Sequence, residues 1–305
     1  MLHTIPAHVM VGVVMTLFSF STALVGLRLT IRIFIFHSAG LDDWTCFAAW
    51  MLNLAETVLL FQELSAGSGQ HVALLSPEQV QQALLMEYIS ILPYIWCIGF
   101  VKASIVIQLQ RTLPTHNNMR KLCIFMSITI GIVTAAFTVV FLLMCMPPNG
   151  YWDLSKRAEC HAIWTTNFAF LAVNVATEVA LILMPIVIFG KLQLRKADKL
   201  GLIAIFTLFG LVPITNLLRI PAIIYMEQDP DMTYSHQTVV GYSRIELNVC
   251  IICACLPTLR VPLARAWSII RRQSQNNTTL HQVPREGVMV LNRVGPSSNM
   301  ASLED

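Results

Sequence analysis

Five residues in otherwise apolar stretches have side chains suited to chemistry: Asn174, Glu178, Arg219, Arg244 and Glu246. A carboxyl group such as that of Glu178 or Glu246 can donate or accept a proton, and a nearby arginine can stabilise negative charge developing on a substrate. Placing an ionisable side chain inside the hydrocarbon of a membrane is unfavourable in free energy, so such a residue is interpreted as functional by default. The same groups can instead be ion pairs that only hold helices together. The sequence leaves both interpretations open.

Helical spacing places several polar residues on shared faces. Asn167, Asn174 and Glu178 are seven and four residues apart, which aligns them on one stripe of a helix. Asn216 and Arg219 are three apart and also share a face. We therefore expect an outer polar cavity between the last three predicted helices, in which the two acids are available to pair with the two arginines.

These helices are expected to cross a membrane. Of 305 residues, 55% are hydrophobic and 12% are charged, which is about half the charge of a typical soluble domain. Crossing hydrocarbon about 30 Å thick takes roughly 20 apolar residues. Seven such runs are predicted, at residues 8–35, 44–62, 84–109, 121–145, 163–190, 201–225 and 240–263. The predicted fold is all-α, a seven-transmembrane helix bundle over residues 1–272, followed by a disordered cytoplasmic tail over 273–305.

Lysine and arginine are distributed unequally between the predicted loops. Twelve fall on one side of the membrane and two on the other, and short loops rich in these residues stay in the cytoplasm. This predicts a multi-pass protein of the plasma membrane or an endomembrane, with the N-terminus outside and the C-terminus cytoplasmic. Cys145 and Cys160 then flank an external loop, where a disulfide between them is reasonable.

A second group of charges is predicted near the cytoplasmic edge. Depth counted at about 1.5 Å per residue places Lys102 in the inner half, together with Arg28, Arg32, Asp42 and Asp43. This inner ionic cluster can act as a lock that changes on activation. Alternatively, Asp42 or Asp43 caps the start of the second span, where the helix dipole favours an acid.

Several chemistries are disfavoured by the residues present. All eight histidines are predicted in loops, ends or the tail, so no histidine metal site is expected inside the membrane. The last span has no lysine for a retinal Schiff base, and Arg111 follows "QLQ" rather than an acid, which argues against an ordinary opsin. No nucleophile–base pair or cofactor motif is recognised, so the sequence leaves open whether the protein is an enzyme.

Several motifs follow one another between about residues 20 and 265. They include "LDDW" at 41–44, "GSGQH" at 67–71, "KAS" from Lys102, and "RIELNVCIICACLPTLR" at 244–260. In this order they resemble the fungal rhodopsin-domain family of seven-span integral membrane proteins, the type named from a satratoxin gene cluster. The family usually has Asp where this chain has Glu178, so the ionisable character is kept while the acid reaches about one methylene further.

The resemblance implies two functions from different classes. Some members are encoded in secondary-metabolite gene clusters, and others look like receptors. We expect a protein of secondary metabolism, associated with a mycotoxin-like biosynthetic pathway, that acts on or handles a lipophilic small molecule in the outer polar cavity without a cofactor. The alternative is a receptor-like sensor of a small molecule. Short internal connections of roughly ten residues leave little surface for a G protein and favour the first. The expected partners are the lipid bilayer and the small molecule, and no nucleic acid.

Overall fold

The computed structural model describes residues 7–112, 117–153, 160, 163–190, 209–228 and 231–280. Its helices, in chain order, are α1 (Ala7–Thr30), which continues into a π-helical turn (Ile31–Ile35), α2 (Leu41–Ser65), α3 (Pro77–Thr112), α4 (Asn117–Leu142), α5 (Ile163–Gly190), α6 (Leu211–Gln228) and α7 (Met232–Leu280). Two short 3-10 turns, Val72–Leu74 and Pro148–Tyr151, lie in connections. Within these residues the regular structure is therefore helical, as predicted.

Six of the described helices are long and apolar enough to cross a membrane, and α6 supplies a shorter apolar helix, Leu211–Met226. The prediction of an all-α bundle of membrane helices is confirmed. Residues 201–208, the first part of the predicted sixth span, lie outside the described residues. The side of the membrane on which the N-terminus lies stays a prediction.

Many apolar side chains of the described helices are exposed, while most of the charged residues in the middle of these helices are buried. On α4, the exposed residues include Phe125, Ile128, Ile132 and Val139, spaced by three, four and seven along one face. An exposed apolar face of this kind suits lipid acyl chains. The ionisable residues that the sequence places within these helices must then find partners in the interior.

The chain divides into Met1–Leu259, which holds the helix bundle, and Arg260–Asp305. In the second unit, the structure describes only the helical backbone of α7 as far as Leu280. The first part of the predicted tail, from residue 273, is therefore helical in backbone. Residues 281–305 lie outside the described residues, and their disorder stays a prediction.

The start of α2 is set by an acid in its first turn. The backbone N–H of Gly40 donates to Oδ2 of Asp43 at 3.0 Å, and a carboxylate at this position also complements the positive end of the helix dipole. Asp43 therefore caps α2. It also binds an arginine of α1, as described below.

The connection between α4 and α5 is closed by a disulfide and packs against α3. Cys145 and Cys160 are joined by a disulfide. Between them, the rings of Tyr151 and Trp152 both lie 5.3 Å from the ring of Tyr88 on α3, measured between centroids. The loop therefore contributes Tyr151 to the end of the bundle where the polar cavity described below lies.

The "GSGQH" loop reaches across to the start of α7. Gly67 and Gly69 have φ angles of 98° and 87°, a region that glycine adopts without strain. The turn brings the His71 ring to 4.6 Å from the Tyr234 ring in a stacked arrangement. Nδ1 of His71 lies 2.5 Å from Oδ2 of Asp231, and the backbone N–H of Val72 donates to Oδ1 of Asp231 at 3.0 Å.

Replacing Asp231 by Asn is expected to destabilise the protein in a pH-dependent way. Partial burial raises the pKa of Asp231, but hydrogen bonds from the Val72 amide and the His71 ring outweigh it and hold the pKa below its usual value. A lowered pKa contributes stability that is present above the unfolded value of about 4 and is lost as the pH falls through the folded value. The difference in Tm between the wild type and Asp231→Asn should therefore be full at neutral pH and shrink below pH about 4. A Tm difference that is the same at neutral pH and below pH about 4 would contradict a role for the carboxylate charge.

Candidate functional site

Lys102 on α3 and Glu178 on α5 face each other inside the bundle. Nζ of Lys102 lies 3.7 Å from Oε1 of Glu178, and each side chain is only 5% exposed. The same nitrogen donates to Oδ1 of Asn174 at 2.5 Å, to the Asn174 carbonyl oxygen at 3.1 Å and to Oγ1 of Thr177 at 2.7 Å. Because an ammonium has three N–H donors, Lys102 is fully satisfied. It acts as a structural cation between two helices.

Glu246 on α7 accepts hydrogen bonds from three other helices. Its Oε1 accepts from Nδ2 of Asn174 at 2.6 Å and from Nδ2 of Asn216 at 3.1 Å, and its Oε2 accepts from the hydroxyl of Tyr94 at 2.8 Å. The Asn216 amide also donates to both oxygens of Glu178 at 3.0 Å. Together with the lysine, these residues form a network, here called the Glu178 network, that joins α3, α5, α6 and α7.

Arg219 on α6 lies at one edge of this network. Its Nη1 donates to the hydroxyl of Tyr94 at 2.7 Å and lies 3.9 Å from Oε2 of Glu246. The guanidinium carbon is 5.4 Å from the centre of the Tyr94 ring, within the range of a cation–π contact. Nε of Arg219 is buried without a hydrogen-bond partner among the residues that the structure describes. Arg219 is thus held in place by Tyr94 with one donor unused.

A cavity of about 90 Å³ lies beside Arg219. Since one buried water needs only about 10–15 Å³ by this measure, the space holds several waters or part of a small molecule. Its apolar and aromatic lining includes Ile91, Tyr94, Phe141, Trp164, Ile223 and Val239. Its ionisable lining consists of Glu56, Glu87, Arg219, His236 and Arg244. We call this space the Arg219 cavity.

Arg244 is clamped in the wall of the cavity by two acids of α2. Its Nη1 and Nη2 donate to the two carboxylate oxygens of Glu63 at 3.0 Å each, a bidentate arrangement that is stronger and more specific than a single bond. Its Nε lies 3.5 Å from Oε2 of Glu56. Arg244 therefore ties α7 to α2, and its charge is already balanced by protein carboxylates.

His236 and Glu87 form a second pair in the wall. Nε2 of His236 on α7 lies 3.2 Å from Oε2 of Glu87 on α3. The hydroxyl of Tyr151, from the disulfide-closed loop, donates to the other oxygen of Glu87 at 2.6 Å. This pair brings two groups capable of proton transfer to the rim of the cavity.

A separate group of charges joins α1, α2 and α7. Nε of Arg28 donates to Oδ1 of Asp43 at 2.8 Å, and its Nη2 donates to Oδ2 of Asp42 at 2.9 Å. Its Nη1 donates to the carbonyl oxygen of Ala254 at 2.7 Å. The side chain of Arg28 is fully buried, and both acids are 1% exposed. The guanidinium thus satisfies two acids and one helix carbonyl together.

Two further arginines surround the same acids. Nη1 of Arg111, at the end of α3, donates to Oδ1 of Asp42 at 3.1 Å, and Nη2 donates to the carbonyl oxygen of Ser38 at 2.6 Å. Arg32 lies within 4.0 Å of Asp42 and 3.9 Å of Asp43. Arg28, Arg32, Asp42, Asp43 and Arg111 are here called the Arg28 cluster.

The structure brings the predicted polar residues inside the bundle but pairs them differently. Glu178 pairs with Lys102 rather than with an arginine, and Arg244 pairs with Glu63 and Glu56 rather than with Glu178 or Glu246. Only the predicted pairing of Arg219 with Glu246 is present, at 3.9 Å. Asn174, Glu178 and Glu246 lie in the Glu178 network, while Arg219 and Arg244 line the cavity.

Lys102 was predicted to join the inner ionic cluster, but it does not. Its ammonium group contacts Asn174, Thr177 and Glu178 on α5, whereas Arg111 takes the expected place beside Asp42. Counting residues along the helix estimates the depth of the Cα atom only. A lysine side chain extends over about one helical turn, so the ammonium group of Lys102 lies in the layer of Glu178 rather than in that of Asp42.

Sequence reasoning missed His236 in the cavity wall and Glu63, the acid that binds the wall residue Arg244. The second span was predicted to end at 62 and the seventh to start at 240, but α2 runs to Ser65 and α7 begins at Met232. The expectation that every histidine lies in a loop, an end or the tail is therefore wrong for His236, which lies in α7 and lines the cavity. The sequence did contain a signal that this helix starts earlier, because His236, Val240 and Arg244 are spaced by four and therefore share one helical face.

These features define a polytopic helical membrane protein with an ion-paired interior and a polar cavity suited to a small molecule. The sequence model of the fungal rhodopsin domain family matches residues 27–265, and the chain belongs to this family. No solved structure is significantly similar to it.

Three relatives illustrate the range within the family. A SAT4 family membrane protein of Emericella nidulans is 26% identical over 63% of this chain and 49% of its own length. Wortmanamides biosynthesis cluster protein C of Talaromyces wortmannii is 21% identical over 72% and 61%. Receptor GIN3 of Arthrobotrys oligospora is 22% identical over 77% and 57%. The chain spans about half the length of the curated relatives it matches.

Proposed function

We propose that the protein works in a secondary-metabolite pathway and takes a lipophilic small molecule into the Arg219 cavity, either to act on it or to pass it on. The observation that carries the proposal is the cavity itself, a space of about 90 Å³ lined by aromatic and aliphatic side chains with two arginines in its wall. Two relatives named as biosynthesis cluster proteins support the pathway. Under the predicted topology, the cavity opens in the outer half of the membrane.

If the protein is an enzyme, the proton-transfer groups we propose are those that line the cavity. These are Glu56, Glu87 and His236, since a general acid or base must come within hydrogen-bond reach of the substrate. Glu178 and Glu246 do not line the cavity and are held by amide donors. We assign them a positioning role, because Glu246 orients the hydroxyl of Tyr94 on which Arg219 rests.

Filling the cavity is expected to abolish the pathway function while leaving the fold intact. Ser243 lines the cavity and is largely buried, so Ser243→Phe places a ring in the space that the ligand needs. Ile128→Phe, on the exposed face of α4, is the matched control because it adds a ring that points away from the bundle. Both variants would be introduced into the source fungus after deletion of the gene, and the metabolites of each strain would be profiled by mass spectrometry.

The deletion strain should accumulate an intermediate or lose a product. The wild-type gene and Ile128→Phe should restore the profile, whereas Ser243→Phe, present in membranes at the same level, should leave it as in the deletion. Full restoration by Ser243→Phe would contradict the proposal that the cavity holds the molecule. An unchanged profile in the deletion strain would remove the pathway role altogether.

A receptor-like sensor is the second candidate. It is favoured by the Arg28 cluster, which ties α1, α2, α3 and α7 together at one place. Making or breaking such a cluster can shift the equilibrium between two arrangements of these helices. A relative named as a receptor points the same way. In the deletion strain, this function predicts unchanged metabolites with an altered response to an external compound, and a G protein would be a natural partner.

A further inference from the structure

Three of the ionisable residues that line the Arg219 cavity keep accessible side-chain surface. The side chains of Glu87, His236 and Arg219 are 18%, 16% and 11% exposed. Those of Glu56 and Arg244, which lie beside each other in the same wall, are only 4% and 2% exposed. A group that exchanges a proton with a ligand must come within hydrogen-bond reach of it. The chemistry of the cavity is therefore expected from Glu87, His236 and Arg219.

Glu87 orients the ring of His236 and is itself held in place. Oε2 of Glu87 lies 3.2 Å from Nε2 of His236, and Oε1 accepts from the hydroxyl of Tyr151 at 2.6 Å. Nε2 is buried and not aligned as a hydrogen bond, but contacts of this kind often tighten only when a substrate binds. The carboxylate favours the tautomer that has its proton on Nε2. The lone pair of the imidazole is then on Nδ1.

Nδ1 of His236 is the ring nitrogen left for a ligand. It makes no hydrogen bond with a residue that the structure describes, and it is not closed off by neighbouring atoms as Nε2 is. An imidazole nitrogen of this kind can take a proton as a general base. The imidazolium that results is stabilised by the carboxylate of Glu87, which faces the opposite nitrogen.

Arg219 supplies an open donor to the same space. Its Nη1 is engaged by the hydroxyl of Tyr94, and its Nε is buried. Its Nη2 makes no hydrogen bond within the described part of the chain and is not closed off as Nε is. A fixed N–H donor stabilises an oxygen more strongly as that oxygen gains negative charge. Arg219 is thus suited to a carbonyl oxygen that becomes an oxyanion during a reaction.

We propose that His236 is the base, and Arg219 the oxyanion-stabilising group, of an isomerisation of a lipophilic carbonyl compound whose carbonyl and double bond are separated by one CH₂ group. Glu87 is a positioning residue that acts through His236. This inference rests on the proposed function, because it names the substrate class and the reaction for the same cavity.

The reaction balances within the substrate. Nδ1 of His236 takes a proton from the CH₂ group, and the electron pair of that C–H bond passes to the carbonyl oxygen, where Nη2 of Arg219 stabilises the charge. The imidazolium then returns the proton to the far carbon of the double bond, and the double bond moves next to the carbonyl. Substrate and product contain the same atoms, so the step needs no oxidant, cofactor or leaving group.

The first test asks whether the pathway needs the base as well as the space. His236→Gln would be introduced into the deletion strain alongside the cavity-filling variant Ser243→Phe. His71→Gln, which alters a carboxylate-paired histidine outside the cavity, is the matched control. The deletion and His236→Gln strains should accumulate the same compound. This compound should be an isomer, identical in molecular mass, of the product that the wild-type and His71→Gln strains make.

The second test measures the isomerisation directly. The compound purified from the deletion strain would be incubated with the full chain in lipid nanodiscs, and the absorbance of the conjugated carbonyl would be followed. We expect His236→Gln to lower kcat by about 100- to 10,000-fold. Glu87→Gln should lower kcat by about 10- to 100-fold, the worth of one charge-assisted hydrogen bond, and leave KM nearly unchanged. Glu78→Gln, an exposed position outside the cavity, should change neither.

Rates are divided by the amount of folded protein, measured by fluorescence-detected size exclusion, so a loss of stability does not imitate the loss of the base. Full restoration of the metabolite profile by His236→Gln, together with failure of Ser243→Phe, would refute the inference but keep the cavity as a lipophile site. Restoration by both variants would refute both proposals. A deletion strain that accumulates no isomer of the product would also overturn the isomerisation.

Discussion

Replacing Arg28 by Met is expected to leave little folded protein. The fully buried guanidinium balances Asp42 and Asp43 and also satisfies the carbonyl oxygen of Ala254. Removing one partner from a buried ion pair costs about 3–5 kcal/mol, and here both acids lose the only cation that is fully buried with them, keeping the more exposed Arg32 and Arg111. Because folded proteins are stable by only about 5–15 kcal/mol, the variant should lose most of its folded population. Fluorescence-detected size exclusion and thermal unfolding in detergent measure this loss.

Arg32→Met is the matched control for this prediction. Arg32 contacts the same two acids, but only at 3.9–4.0 Å and with a side chain that is 19% exposed. It should therefore change the Tm much less. If Arg28→Met and Arg32→Met lower the Tm equally, the short contacts of Arg28 are not what stabilises this end of the bundle.

The second large effect is expected from Lys102→Met, which leaves Glu178 without a cation. Glu178 keeps its hydrogen bonds from Asn216, but an uncompensated charge in the interior again costs about 3–5 kcal/mol. Asn174 and Thr177 also lose the ammonium donor that they share. The Tm in nanodiscs should fall far below that of the wild type.

Adding Glu178→Gln to Lys102→Met should recover part of this loss. The double variant removes the unpaired charge while the Gln oxygen can still accept from Asn216, so the coupling energy in a double-mutant cycle should be about 1–3 kcal/mol. Adding Glu56→Gln, which alters an acid paired with Arg244, should give no such recovery. Strict additivity of Lys102→Met and Glu178→Gln would show that the packing of Glu178 matters and its charge does not.

The class of fold follows from composition. A chain with 55% hydrophobic residues in long runs must bury its backbone polar groups within helices when it crosses a membrane. Helical periodicity also placed Asn174 and Glu178 on a common face, and both lie together in the interior. These inferences needed only the chemistry of each residue and its spacing along one helix.

The pairing of charges required the packed bundle. Glu178 was expected to meet an arginine, yet its cation is Lys102, predicted for the opposite layer. Arg244 meets Glu63, which lies just beyond the predicted end of its span. Which charges meet depends on the rotation and depth of each helix and on how far a long side chain extends, and none of these is encoded in the spacing within a single helix.

The cavity is likewise a property of the tertiary structure. Its wall draws on six of the helices that the structure describes and on the disulfide-closed loop. Residues such as Glu56, Phe141 and His236 are far apart in the chain, yet all line the same space. Composition and periodicity determine that polar groups enter the membrane and turn inward. Only the packing of helices against one another decides which of those groups neutralise each other and which line the cavity, because pairing is set by distances between helices.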